Sequence, residues 1–302
     1  MISAFLNPIF PVFAIMLAGI VFSRGGLFDG AAAQAINRFV FYVAVPALLF
    51  LLLSGADLGT MDYRLLGFYF FSEVLLYTGG AAIARIVFSC GPGEALLLGM
   101  ASCFVNHVFF VLPIATILYG EQATTSITAI IAIDTTILFG GTIMGLEIAS
   151  HRSESIWRVV RSFVRNPVLV SIALGLMVNI SGLTLHEGIV TFTSFAGAAA
   201  APAALFSLGI ILARSRFLSL DYRAAMVTGL KIIIHPLVAW FFFTGFFEFD
   251  PLLRNPALLV AAGPCGAMPF VLAMQYKIRA ESIGMAIIYS TVASLLTLSI
   301  IA

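Results

Sequence analysis

The sequence predicts an all-α polytopic membrane protein: ten transmembrane helices in two five-helix repeats of opposite orientation, with the fourth and ninth helices broken. Three observations predict it. The 302 residues are 61% hydrophobic and 10% charged, with a mean hydropathy of +1.10, where a soluble domain has about 25% charged residues. The chain also contains a weak copy of itself. Val45-Pro46-Ala47 returns as Ala201-Pro202-Ala203 and Pro113 as Pro269, both offset by 156 (202 − 46, 269 − 113), while Asp62-Tyr63-Arg64 returns as Asp221-Tyr222-Arg223 and Asn7-Pro8 as Asn166-Pro167, offset by 159. Finally, the cations segregate. With the Arg152, Arg158, Arg161 and Arg165 loop in the cytoplasm, Arg24, Arg38, Arg85, Arg214, Arg216, Arg223, Lys277 and Arg279 fall there too, and only Arg64 and Arg254 fall outside. That is a clear positive-inside pattern.

The elements follow in order. Span one, roughly 7–23, has no basic residue before it and Arg24 behind it, so it reads as a helix with an external N-terminus and not as a secretory leader. Span two, 36–54, opens at Arg38 and carries Pro46; span three, 65–88, carries Glu73; span four, 95–119, carries Asn106, His107 and Pro113; span five, 123–148, carries Asp134. A short arginine-rich linker, 151–165, follows the first repeat, 1–150. The second repeat, 166–302, holds spans at 166–184, 190–213 (Pro202), 224–247 (Lys231, His235), 255–275 (Gly263-Pro264, Pro269, Gln275) and 283–302. Most spans reach the about 20 apolar residues that cross a bilayer as helix. Five spans per repeat leave the second repeat inverted, with both termini external. An aqueous-lumen barrel is excluded, because its strands alternate polar and apolar residues.

Pro113 and Pro269 stand deep in the membrane at matched places of the two repeats. Proline removes a backbone hydrogen bond and clashes with the carbonyl four residues back, and such freed groups persist in lipid only where protein or a water-filled cavity covers them. A single proline would read as a kink. The matched pair, beside Asn106 and the Gly263-Pro264-Cys265-Gly266 run, points to a binding site whose half-helix N-termini attract an anion. Asn106 is the best substrate contact, because an amide donates to a carboxylate without a charge of its own. His107, Cys265 and Gln275 are weaker candidates; the plain reading of Cys90, Cys103 and Cys265 is small packing residues. Pro46 and Pro202 read as kinks shaping a wall.

Charge inside a bilayer is a functional signal by default. Lys231 and His235 share one helical face. Glu73 lies near the repeat position of Lys231, which makes Glu73–Lys231 the preferred proton-coupling pair. Asp134, flanked by Thr135 and Thr136, is a candidate for a proton or a cation. Each has a structural alternative: a buried ion pair that only fixes packing, or an aspartate satisfied by neighbouring hydroxyls. Arg38 and Glu147, near span ends, read as snorkelling.

At these residues a resemblance appears. Asn37 through Phe50, Asn106 through Pro113 with Tyr119-Gly120-Glu121, Lys231 through Pro236, and Pro269 through Ala273 with Tyr276, Ser290-Thr291 and Ser294 through Leu298 together resemble the auxin efflux carrier family of bacterial and plant transporters. The match departs at Val111 and Lys277, where glycine is usual. The resemblance implies crossed fourth and ninth helices, a fold like that of bile-acid symporters and sodium–proton antiporters, and a scaffold of helices one, two, six and seven beside a transport domain of the other six. It implies an elevator-type secondary transporter of small organic anions such as carboxylates, dicarboxylates or auxin, driven by a proton or another gradient. The short linker favours the compact prokaryotic type, in a bacterial inner membrane, and the resemblance implies a homodimer through the scaffold helices. A sodium-coupled symporter related to bile-acid carriers is the close alternative.

Other classes find less support. No Walker loop, HExxH pair, GxSxG elbow or metal-ligand cluster occurs, so no enzyme activity, metal or cofactor is expected. A net charge of +1 argues for no nucleic-acid partner. An intramembrane enzyme, a receptor or a channel remains a weaker reading.

Overall fold

The computed structural model describes residues 2–56, 62–120, 122–150, 164–213, 221–246 and 249–301, with some side chains, that of Pro113 included, left undescribed. Arg152, Arg158, Arg161, Arg214, Arg216 and Glu121 lie outside the described residues. Regular structure among the described residues is helical, apart from one isolated β-bridge. We number the helices α1 (Ile2–Arg24), α2 (Gly30–Ser54), α3 (Tyr63–Ile86), α4 (Pro92–Ala101), α5 (107–119), α6 (122–150), α7 (Pro167–Ser181), α8 (Glu187–Leu212), α9 (Tyr222–Gly245), α10 (Pro251–Ala262), α11 (Met268–Gln275) and α12 (Glu281–Ile301). Among the described residues, five segments, in α2, α3, α6, α8 and α9, are long and apolar enough to cross a membrane. The protein is integral to the membrane.

The repeated polar motifs turn out to be caps. Asp62 starts α3 and Asp221 starts α9, each accepting the backbone N–H of the arginine two residues on at 2.9 Å. Such a cap satisfies one of the donors orphaned at a helix start. Asn166 caps α7 in the same way at Val168 and Leu169, with Pro167 in the first turn. Its sequence counterpart Asn7-Pro8 instead lies inside α1.

The prolines also acquire a local structure. Three π-helical stretches, Val40–Ala44, His107–Val111 and Leu230–Ile234, end two residues before Pro46, Pro113 and Pro236. Proline cannot donate to, and collides with, the carbonyl four residues back. Widening the preceding turn by one residue moves that carbonyl aside while keeping the helix continuous. Pro113 therefore does not break its span. The break comes earlier, at 102–106 between α4 and α5, whereas Pro269 follows its break, 263–267, directly and opens α11. A fourth π-helical stretch, Asp134–Phe139, has no proline.

The helices pack most closely in two sets. In one, α1 lies on α8, and α2 lies on both α7 and α8. Gly19 and Gly209 let α1 and α8 approach so closely that a Cβ on either would strike the other helix's backbone, as expected where small residues replace the absent hydrophobic drive between membrane helices. In the other set, α3 lies on α4 and α9, α6 on α4 and α10, and α9 on α10 and α12. The seam between the sets is thinner, with α2 touching α11 and α1 touching α5.

Candidate functional site

The two breaks meet. Val105 and Cys265 form an antiparallel bridge, the Asn106 N–H donates to the Pro264 carbonyl at 3.0 Å, and the Gly266 N–H donates to the Phe104 carbonyl at 3.0 Å. The Cys265 N–H is taken up by Ser290 Oγ of α12 at 3.0 Å. Backbone that leaves a helix inside a membrane is thus paired across the break, as it must be. Glycine permits the approach: a Cβ on Gly266 would lie 2.7 Å from the Val105 carbonyl oxygen, and one on Gly263 would lie 2.5 Å from Val111 Cγ2. Four half-helix ends converge here. The N-termini of α5 and α11 carry partial positive charge, and the C-termini of α4 and α10 partial negative charge.

A cavity of about 60 Å³ sits against this crossing. Asn106, His107, Ala267 and Met268 line it from the breaks, and Leu48, Leu52, Ala201 and Leu205 line it from α2 and α8. It therefore lies on the seam, where two α5 and α11 N-terminal ends face an apolar wall. Its volume is far below the several hundred Å³ of a full ligand site.

Behind the cavity lies a charged cluster. Glu73 (α3), Asp134 (α6), Lys231 and His235 (α9) have no exposure to solvent, and His107 is 4% exposed. Lys231 Nζ donates to the Ala261 carbonyl at 2.6 Å and lies 3.1 Å from His235 Nδ1. An ammonium only donates, so Nδ1 accepts and the ring proton of His235 is on Nε2. Ala261 belongs to the last turn of α10, whose carbonyls the Gly263-Pro264 break leaves without helical partners. Lys231 thus supplies positive charge where the broken helix is negative. His107 Nε2 approaches Asp134 Oδ2 to 2.7 Å, close but off line for a regular hydrogen bond.

The sequence-derived candidates separate into three places. Asn106 and His107 line the cavity. Cys265 and Pro269 are buried in the crossing and shape it, and Pro113 lies within α5. Gln275 is elsewhere: it donates to the Tyr42 hydroxyl at 3.1 Å and borders a polar cavity of about 320 Å³ with Arg38 and Lys277. Glu73 and Lys231 form no direct ion pair among the described residues. Lys231 reaches the α10 carbonyl instead, although its field acts on Glu73. Glu147 is not simply snorkelling; it accepts from the Tyr276 hydroxyl at 2.6 Å, and burial together with that carboxylate pushes the Tyr276 phenol well above its usual range. Tyr69, beside Glu73, escaped sequence reasoning. Its only signal was a spacing of four residues from Glu73.

Residues 4–302 match the family described as "Membrane transport protein". The chain is 23% identical over 300 residues to the "Putative malonate transporter" of Rhizobium meliloti, covering 96% of this chain and 92% of that protein. It is 27% identical over 299 residues to an uncharacterized transporter of Methanothermobacter thermautotrophicus, covering 95% of this chain and 94% of that one. An uncharacterized transporter of Methanocaldococcus jannaschii is 23% identical over 300 residues, with 96% and 95% covered.

Proposed function

The chain belongs to the membrane transport protein family, the auxin efflux carrier group that its motifs resemble, and from that premise we propose that it is a secondary active transporter of small carboxylates, dicarboxylates above all. The observation that carries the proposal is the pairing of the two broken helices at Val105 and Cys265, with a small cavity on one side and a buried charged cluster on the other. Two half-helix N-termini and the Asn106 amide offer donors to a carboxylate. The apolar wall from α2 and α8 excludes bulk water, which strengthens those donors. The relative from Rhizobium meliloti, described as a transporter of malonate, supports a dicarboxylate of that size.

The finer architecture belongs to the same proposal. The chain makes ten passes in two repeats, a reading supported by one break in each repeat, at 102–106 and at 263–267. The set α1, α2, α7 and α8 is the scaffold, and the remaining helices carry the site across by sliding along the thin seam. The cation distribution supports a cytoplasmic position for the Arg38 and Lys277 end. The decisive experiment is uptake of labelled malonate and longer dicarboxylates into proteoliposomes of the purified protein, with imposed proton or sodium gradients. Uptake saturating with substrate and accelerated by one gradient is expected. Dependence on sodium alone would favour the symporter alternative. No gradient-dependent uptake of any carboxylate would overturn the transporter of carboxylates.

A further inference from the structure

The seam holds a second cavity, larger than the one at the crossing and differently lined. Its volume is about 320 Å³, within the range of small-ligand sites. Arg38 and Tyr42 line it from α2, and Gln275 of α11 and Lys277, just beyond that helix, line it from across the seam. Asn37 also lines it; this amide is 2% exposed and is held by its Nδ2 donating to the Val271 carbonyl of α11 at 3.1 Å. Gln275 Nε2 donates to the Tyr42 hydroxyl at 3.1 Å, so that hydroxyl keeps its own proton for a further acceptor.

Two cations line this space, and among the described residues no acid does. Neither Arg38 nor Lys277 forms an ion pair or a side-chain hydrogen bond among the described residues. Glu147 borders the neighbouring cavity, beyond Tyr42 and Gln275, where it accepts from the Tyr276 hydroxyl; Arg165 borders that cavity too, so it holds one charge of each sign. The negative C-terminal end of α11 offsets Lys277 in part, but Arg38, inside α2, has no such offset. Lys277 has φ of +55°, a conformation that glycine or asparagine adopts most easily. The backbone therefore gives no reason for a lysine there, whereas its charge does. Apart from Met274 and the Tyr42 ring the lining is polar, which suits a soluble ion and offers an acyl chain little to rest on.

We propose that this cavity is a binding site for a small dianion with oxygen acceptors, a dicarboxylate or inorganic phosphate, held between the Arg38 guanidinium and the Lys277 ammonium. A guanidinium takes two oxygens of one group through its planar fork, and an ammonium meets the second charge as a point. The Tyr42 hydroxyl and the Gln34 amide, which also lines the cavity, add neutral donors. A monoanion leaves one of the two cations uncompensated. Because α2 packs with α7 and α8 while α11 packs on α4, an ion held by both sides joins the two sets and favours the conformation seen here. The site stands on this geometry. Only its consequence, a dianion that brakes sliding along the seam, rests on the carboxylate-transport reading.

Thermal melting of the detergent-solubilised full-length protein tests the site with malonate, succinate and inorganic phosphate, against acetate and chloride at equal ionic strength. A dianion at about a hundredfold excess over its dissociation constant should raise the melting temperature by on the order of 5 °C, and acetate or chloride should not. Arg38→Gln and Lys277→Gly should each lose that rise. The glycine variant relieves the left-handed backbone and so keeps its fold, and Arg38→Lys, which keeps the charge, should retain part of the rise. Asn106→Ala, altered at the crossing, should retain all of it. A rise from the dicarboxylates alone identifies a dicarboxylate, one from phosphate alone identifies a phosphate, and either supports the site. No rise with any dianion, an equal rise with acetate, or a rise kept in either Arg38→Gln or Lys277→Gly would overturn it. Loss of the rise in Asn106→Ala would place the binding at the crossing and equally overturn it. Stabilisation by cardiolipin but by no free dianion would overturn it in favour of a lipid headgroup. The expected pattern in a protein that takes up no carboxylate would instead leave the dianion site standing and remove the transport reading.

Discussion

At the scale of single residues, the crossing depends on side chains that are missing. Gly263 and Gly266 both lie against Val105, but the obstacles differ in kind. The Cβ of an alanine at 263 would meet side-chain atoms, Val111 Cγ2 at 2.5 Å and Val105 Cγ1 at 2.8 Å, while one at 266 would meet the Val105 carbonyl oxygen at 2.7 Å. A side chain can be shortened and a carbonyl cannot. Gly263→Ala should destabilise by about 1–3 kcal/mol, the usual cost of overpacking, and Val111→Ala added to it should recover part of the loss. Gly266→Ala should gain nothing from Val111→Ala. Melting temperatures of the detergent-solubilised variants check both; equal rescue of the two glycine variants would contradict the geometry. Val111 and Gly263 are thus complementary. Lys277, the other departure, has φ of +55°, so the position still has the left-handed backbone that favours glycine. Asn106 and His107 were legible in sequence because polar side chains interrupt an apolar span. The approach of His107 to Asp134 was not, because it depends on how α5 sits against α6, which no local pattern encodes.

At the scale of elements, the sequence marked the prolines but not what they do. A proline in an apolar run reads equally as a kink or a break, and the difference lies in whether the preceding turn can widen. Around Pro46, Pro113 and Pro236 it widens, and α2, α5 and α9 remain continuous. True unwinding occurs where two segments can pair, at 102–106 and 263–267, and pairing is a property of both segments together. The consequence is testable in α9. Its π-helical stretch lies between Arg223, whose Nη1 is 2.7 Å from Glu94 Oε1, and His235, which contacts Lys231. Pro236→Ala removes the reason for the extra residue, and collapse of the stretch would turn one end of α9 by about 100° against the other. Either Arg223 leaves Glu94 or Lys231 leaves Ala261. Since proline inside a helix costs about 3 kcal/mol relative to alanine, the variant should melt no lower than wild type. Displacement of the charged cluster by an ångström or more should nonetheless cut transport by about a hundred-fold. Lowered stability with normal transport would mean that Pro236 matters only to folding.

At the scale of the whole molecule, the question is which parts move. The polar contacts that cross the seam include Gln275 Nε2 to the Tyr42 hydroxyl, 3.1 Å, and Asn37 Nδ2 to the Val271 carbonyl, 3.1 Å. Both join α2 to α11, and Asn37, Tyr42 and Gln275 line the cavity that Arg38 and Lys277 also border. The Gln275–Tyr42 contact is exposed and the Asn37–Val271 contact is buried, and packed interiors are bistable at such boundaries. The Glu94–Arg223 pair, by contrast, joins α4 to α9 inside the set proposed to move as one body. The two contacts therefore separate sliding from internal rigidity. Tyr42→Cys with Gln275→Cys, bridged by a short bis-thiol reagent, should stop malonate uptake, and a reductant should restore it. The same reagent across Glu94→Cys with Arg223→Cys should leave uptake little changed, because no relative motion is blocked. The native Cys90, Cys103 and Cys265 are 2%, 0% and 0% exposed and need not be removed. Full transport through a completely bridged Tyr42–Gln275 pair would show that α2 and α11 keep their relative position throughout the cycle, and the carrier would then have to open by bending its broken helices and not by sliding along the seam.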